Sequence, residues 1–171
     1  MHGWAQQQAA QSKYRTVGIY SGPLGFGYNP ELLAKKKLAV PRAVARGEAT
    51  VSITFVHDAP GEKMQGFPVE TVTPAEGTGA EIGSMSIAKG ARNLEAAKKF
   101  YEWALTAPTQ EMGAAAKQFQ LPSNKSAKVD ARVPDFKKIK FIDYDYAKYG
   151  ASAERRRLIG KWEKDVNSLP R

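Results

Sequence analysis

TVGIYSGPLGFGYNPELL, residues Thr16 to Leu33, carries two strand-forming runs, a Gly22–Pro23 interruption and the opening of a helix. Valine, isoleucine, tyrosine and phenylalanine favour a pleated surface, and Gly-Pro breaks it, so the spacing predicts a strand, a bend and a second strand. Asn29 then caps a helix with Pro30 in its first position and Glu31 in its first turn. Leu32 and Leu33 give that helix an apolar side, and Lys35 to Lys37 suit its C-terminal end. A short helix is expected over Pro41 to Arg46, stopped by Gly47. In EATVSITFV (Glu48 to Val56), Val51, Ile53 and Phe55 alternate with Thr50, Ser52 and Thr54, the period of a half-buried strand with the apolar side inward. APGEKMQG reads as a polar loop, Pro68–Thr73 as a strand, Pro74–Gly83 as a glycine-rich connection and Ile82–Ala88 as a further strand. From Asn93, the residues Leu94, Ala97, Tyr101, Ala104 and Leu105 recur at helical spacing. Thr106 ends that helix and caps another, Pro108 to about Lys117. Residues 120–134 read as loop, Phe141–Tyr149 as an aromatic strand or turn, and Ser152 to about Asn167 as an amphipathic helix. Strands alternating with helices predict an α/β fold.

The 171 residues suit one domain or two small ones, and 42% hydrophobic with 25% charged residues is ordinary globular composition. Apolar runs are too short for a membrane-spanning helix. Residues 1–15 read as a tail without the apolar centre of a secretory signal. With no cysteine, disulfide scaffolds, thiolate metal sites and cysteine nucleophiles are excluded. Lysine plus arginine number 26 against 17 acidic residues, a net charge of +9. The basic residues lie in short runs separated by acidic ones, with no arginine-rich arm, zinc spacing or ribonucleoprotein motif. A solvated basic surface is therefore expected, and no nucleic-acid partner.

Among chemical motifs, GPLGFG departs from GxGxxG spacing and contains proline, so it reads as a strand connection. Ser21, Ser52 and Ser84 lack a nucleophile-elbow context. His2 and His57 are the only histidines, too few for a histidine metal cluster, and no constellation of nucleophile, base and orienter is present. No enzyme activity and no cofactor are expected. Tyr144, Tyr146 and Tyr149 offer phenolates for ferric iron, but aromatic packing is the commoner use. His57–Asp58 ends a strand, where α/β folds place ligand groups. A histidine bonded locally beside a turn aspartate is the plainer reading. Glu76 and Glu81 flank glycines whose plainer use is a surface turn.

The order GPLGFGYNPELLAKKKL, ARGEATVSITFVHDA, PAEGTGAEIG, KGARNLEAAKKFYEWAL and QLPSNKSA resembles one family across about residues 16–167. It is the solute-binding proteins of bacterial ABC importers, in the iron(III) or family 1 extracellular group. The resemblance implies a periplasmic-binding-protein type II α/β fold, a mixed sheet with flanking helices, and lobes closing on a solute in the cleft between them. It further implies a periplasmic location and an ABC permease as partner. On that pattern residues 16–73 and about 135–171 belong to the second lobe and 74–134 hold the crossover and a return into the first, with packing of all of them as one compact domain the alternative. The segment the family carries after AKKKLAVP is missing, an internal deletion. Exposed apolar faces and a homo-oligomer, formed by exchanging the Asn93–Lys117 helices, are expected from it.

Ferric receptors of this group resemble each other in a tyrosine pair where this chain has His57–Asp58, a poor oxygen set for ferric iron. Sugar-phosphate receptors are similar to it there, with a His-Asp pair and a glutamate on the glycine-rich turn, so the resemblance implies His57, Asp58 and Glu81 as ligand-binding residues for a small anionic solute such as a hexose phosphate. A ferric receptor, and a scaffold or interaction protein that keeps the fold without a working cleft, are the alternative expectations.

Overall fold

The computed structural model describes residues 1–33 and 51–169. The helix expected over Pro41–Arg46, the Lys35–Lys37 run and the first residues of the Glu48–Val56 strand lie outside them. The chain forms two compact units, Met1–Phe141 and Ile142–Arg171.

The first unit is organised by one strand. β1 (Val17–Tyr28) runs unbroken through Gly22 and Pro23, where the sequence predicts two strands. The interruption instead marks a change of partners. Its first half pairs with β4 (Ala80–Met85), from Val17 opposite Met85 to Pro23 opposite Ala80, and with β5 (Leu121–Pro122). Its second half pairs with β2 (Val51–Phe55) and β3 (Glu70–Val72). Proline lacks an N–H, which suits the point where one ladder gives way to the next. The Pro23 carbonyl accepts from Val56 N–H at 2.9 Å, and Leu24 N–H donates to the Gly79 carbonyl at 3.0 Å. The ladders of this five-stranded sheet are antiparallel, whereas the resemblance implies a mixed sheet. Parallel pairing among the described residues is confined to the bridge between Thr78 and Phe141. The α/β architecture stands.

The alternation in β2 is real, but its sides are reversed from expectation. Ser52 is buried at 4% exposure while Ile53 is 70% exposed. Gly25 and Gly27 of β1 lie opposite Thr54 and Ser52, and neighbours across a ladder share a face. A Cβ at Gly25 would stand 2.7 Å from the Val72 carbonyl oxygen and 2.8 Å from Val56 Cγ2, so this small-residue face is closed by backbone approach. The large side chains go to the other face, where Leu24, Phe26, Ile53 and Val72 are exposed.

α1 (Gly3–Gln11) replaces the expected tail. Ala5 and Ala9, four residues apart, are buried, and the Trp4 ring lies where a Cβ on Gly18 would stand, 2.8 Å away. α2 (Pro30–Leu33) begins as predicted, with Glu31 and Leu32 N–H donating to Asn29 Oδ1 at 3.0 and 3.1 Å. The expected loop after Asp58 contains a short helix, α3 (Ala59–Lys63), with Pro60 near its start. α4 (Leu94–Ala104) and α5 (Ala107–Ala115) follow. Ala97, Tyr101, Ala104 and Leu105 form the predicted half-buried stripe; Leu94, Phe100 and Trp103 are exposed. Between α5 and β5, Phe119 is fully buried beneath the Arg132 guanidinium, 4.6 Å from its centroid.

In the second unit Asp145 caps a one-turn helix, α6 (Tyr146–Tyr149), by accepting from Lys148 N–H. Tyr144 packs on Tyr146 and Tyr149, with centroids 4.9 and 5.2 Å apart. The phenols thus pack on one another. α7 (Ser152–Trp162) continues as a wider turn over Glu163–Asn167, with Leu158, Ile159, Trp162 and Val166 exposed.

Candidate functional site

His57 leaves β2 at the point where the chain turns into α3. Its ring is 5% exposed and stacks on Phe55, with centroids 5.2 Å apart and planes 8° from parallel. The space for it comes from Gly22: a Cβ there would lie 2.3 Å from both Nδ1 and Cε1 of His57. Nδ1 is buried without a hydrogen-bond partner, and Nε2 stands 3.7 Å from Asp58 Oδ1. Burial pushes the imidazole below its ordinary pKa, opposed by the nearby Asp58 carboxylate.

Asp58 occupies the cap position of α3 without capping it. Its Oδ2 instead accepts from the Thr54 hydroxyl and, at 3.2 Å, from Phe55 N–H. Oδ1 carries no hydrogen bond from the described residues and the side chain is 49% exposed.

Glu81 is not on the glycine turn, where the sequence reading places it, but inside β4 directly opposite Gly22. β1 extends the ladder as far as Pro23 opposite Ala80, which draws the end of PAEGTGAEIG into the strand. Gly22 and Glu81 share a face as cross-strand neighbours, and the His57 ring fills the Cβ side of Gly22. Glu81 and His57 are therefore brought to one side of the sheet. Burial, then the charge of Asp58, pushes the Glu81 carboxyl above its ordinary pKa. The backbone is fixed by Ser21, whose hydroxyl donates to the Glu81 carbonyl at 2.8 Å. Gly22 thus puts Glu81 on the His57 side of the sheet, within reach of the Asp58 charge, although Glu81 does not line the cavity beside them.

His57 and Asp58 also line a cavity of about 690 Å³ with Ser52, Thr54, Glu62 and Lys117. That volume lies within the range of small-molecule sites. Lys117 sits past the end of α5 in a left-handed conformation, φ 60°. A Cβ on Gly61 of α3 would stand 3.6 Å from its carbonyl oxygen, so α3 and the end of α5 approach each other here. Glu62 and Lys117 were not singled out in the sequence, and Ser52 was weighed there only as a nucleophile. Ser52 was hidden by the reversed sides of β2, and Lys117 looked like one more surface cation. Carboxylates, hydroxyls and a neutral imidazole form a wall suited to accepting hydrogen bonds from hydroxyl groups. Among the described residues no group of three or more His, Asp or Glu side chains is placed to hold a metal ion.

The titration of His57 has a measurable consequence. A base held below its unfolded pKa contributes stability above that value and loses it as pH falls through the folded one. The melting temperature should therefore fall as pH drops below about 6.5. Glu81 acts in the opposite sense, its raised pKa favouring the fold at lower pH. Thermal melts of the wild type and His57→Phe across pH 5–8 check this, and a fall of equal size in both would contradict it.

The sequence pattern of the bacterial extracellular solute-binding proteins matches residues 40–149. A protein of Haemophilus influenzae is 44% identical over 141 residues, which are 81% of this chain. The match spans only 40% of that relative's length. The periplasmic binding protein P5PA superposes with a TM-score of 0.84 at 29% identity, over 96% of this chain and 73% of its own. The periplasmic binding protein AfuA from Actinobacillus pleuropneumoniae, solved with exogenous fructose-6-phosphate bound, gives 0.79 at 33% identity, over 90% and 69%. Among the described residues no helix is long and apolar enough to cross a membrane. With the pattern covering well over half of its residues, the chain belongs to the bacterial extracellular solute-binding protein family.

Proposed function

We propose that this chain is the receptor part of an ABC importer and holds a polyol phosphate, such as a hexose phosphate, by its hydroxyl end. What supports the reading is the Gly22 register, which puts Glu81 on the His57 side of the sheet, beside the ligand-sized cavity that His57 and Asp58 line. Asp58 Oδ1 and the Glu81 carboxylate accept from sugar hydroxyls. AfuA, at 33% identity and with fructose-6-phosphate bound, supports the solute class. His57–Asp58 in place of two phenolates argues against ferric iron, which favours hard anionic oxygens. A periplasmic location and a permease partner go with this reading. So does the lobe assignment, with 16–73 and 135–171 in one lobe and 74–134 returning to the other.

The phosphate end has little to hold it. Lys117 is the one cation lining the cavity among the described residues, and Asp58 and Glu62 face the same space. Affinity for glucose 6-phosphate or fructose 6-phosphate is therefore expected on the order of millimolar. Titration of ¹⁵N-labelled protein with either sugar phosphate should shift the amide signals around residues 54–62 and 80–82. Ferric citrate should leave them unmoved. Shifts with iron alone would overturn the reading.

A further inference from the structure

We infer that Gly22 is the positioning residue of this site: it seats the His57 ring and thereby fixes which imidazole nitrogen carries the proton. The Nδ1–Cε1 edge lies where any side chain at position 22 would begin, 2.3 Å from an added Cβ. No real Cβ contact is that short, so His57 in this orientation requires glycine there. Nδ1, pressed onto Gly22, has no hydrogen-bond partner, and the ring is 95% buried, leaving 5% exposed. A buried N–H without an acceptor is rarer and more costly than an unfilled acceptor. The proton of the neutral ring therefore belongs on Nε2, which faces the Asp58 carboxylate 3.7 Å away.

That separation is too long for a direct hydrogen bond. Asp58 Oδ2 is already taken by Thr54 and Phe55, which leaves Oδ1 free among the described residues. The wall thus presents one donor, Nε2–H, beside one acceptor, Oδ1. A hydroxyl, which both accepts and donates, satisfies the two together. The phosphate group of a sugar phosphate, as the dianion that predominates at neutral pH, only accepts and is repelled by the carboxylate. The Gly22 seat therefore selects a hydroxyl for this end of the cavity. This consequence rests on the polyol reading above; the seat and the tautomer do not.

A double-variant cycle tests the seat. Gly22→Ala alone should lower the melting temperature by roughly 3–10 °C. In the His57→Ala background the same change should cost almost nothing, because the added methyl enters space the ring has left. An equal fall in both backgrounds, or in neither, would overturn the seat. Long-range ¹H–¹⁵N spectra of the wild-type protein should show the Nε2–H form of His57, and the Nδ1–H form would overturn the tautomer. If Gly22→Ala fails to fold, the background variant and the wild-type spectrum still decide. For the solute, fructose 6-phosphate should move the His57 Nε2 signal, whereas sulfate, a dianion without an O–H group, should not at the same concentration. Equal movement with both would overturn hydroxyl selection. Silence with the sugar phosphate, with the cycle and tautomer as expected, would sink the polyol reading and leave the seat standing.

Discussion

Phe119→Ala is expected to cost about 3–5 kcal/mol of folding stability, the usual range for truncating a fully buried aromatic ring. Phe119 is 0% exposed, and its ring is covered by the Arg132 guanidinium. Arg132 cannot easily collapse into the gap, because its Nε and Nη2 donate to both Asp130 carboxylate oxygens at 2.8 Å. The melting temperature should fall by about 6–20 °C. Chemical denaturation of the variant measures the cost directly, and a loss below about 1 kcal/mol would contradict the packing described for Phe119. The flanking turn also ends α5 beside the cavity, since Gln118 N–H donates to the Gly113 carbonyl at 2.8 Å. A weakened Phe119 should thus loosen the Lys117 wall along with the fold.

Asp58→Ala and Glu81→Ala should each weaken fructose 6-phosphate binding by on the order of ten- to a hundredfold, as expected when a desolvated hydrogen bond to a sugar hydroxyl is lost. Their stability costs should be far smaller than that of Phe119→Ala. The Asp58 side chain is half exposed, and what it gives up within the protein is the Thr54 and Phe55 bonds. Glu81→Ala should stabilise slightly at neutral pH, because it removes a carboxylate that burial and Asp58 both disfavour. Melting and titration of the two variants separate the effects. A collapse of melting temperature in both would mean that the carboxylates hold the fold and not a solute.

The residues of the proposed site stood out in the sequence, and their geometry was less legible. His57–Asp58 stood out because histidine is scarce here and because the pair ends an alternating segment. The capped helix after Asn29 was legible because Asn-Pro-Glu states its own hydrogen bonding. The continuous course of β1 was not, because Gly-Pro is a local signal and the partner strands that overrule it lie about 60 residues away at Ala80 and Glu81. The sides of β2 were misread for a related reason. Hydrophobic period gives the alternation, but the buried side was decided by Gly25 and Gly27 on the neighbouring strand. α1 was missed because its inward face consists of Ala5 and Ala9 with Trp4 beside them, too little apolar contrast in a glutamine-rich run. Glycines 18, 22 and 83 share one lesson. Each leaves room for a particular ring, Trp4, His57 or Tyr20, and no periodicity shows which ring will arrive.

A crystal structure of the chain grown with fructose 6-phosphate tests the central claim most directly. The expected result places sugar hydroxyls within about 3 Å of His57 Nε2, Asp58 Oδ1 and the Glu81 carboxylate, with the phosphate directed away from that wall. A phosphate group seated against Asp58, or a sugar bound at a site that touches none of these three residues, would contradict it.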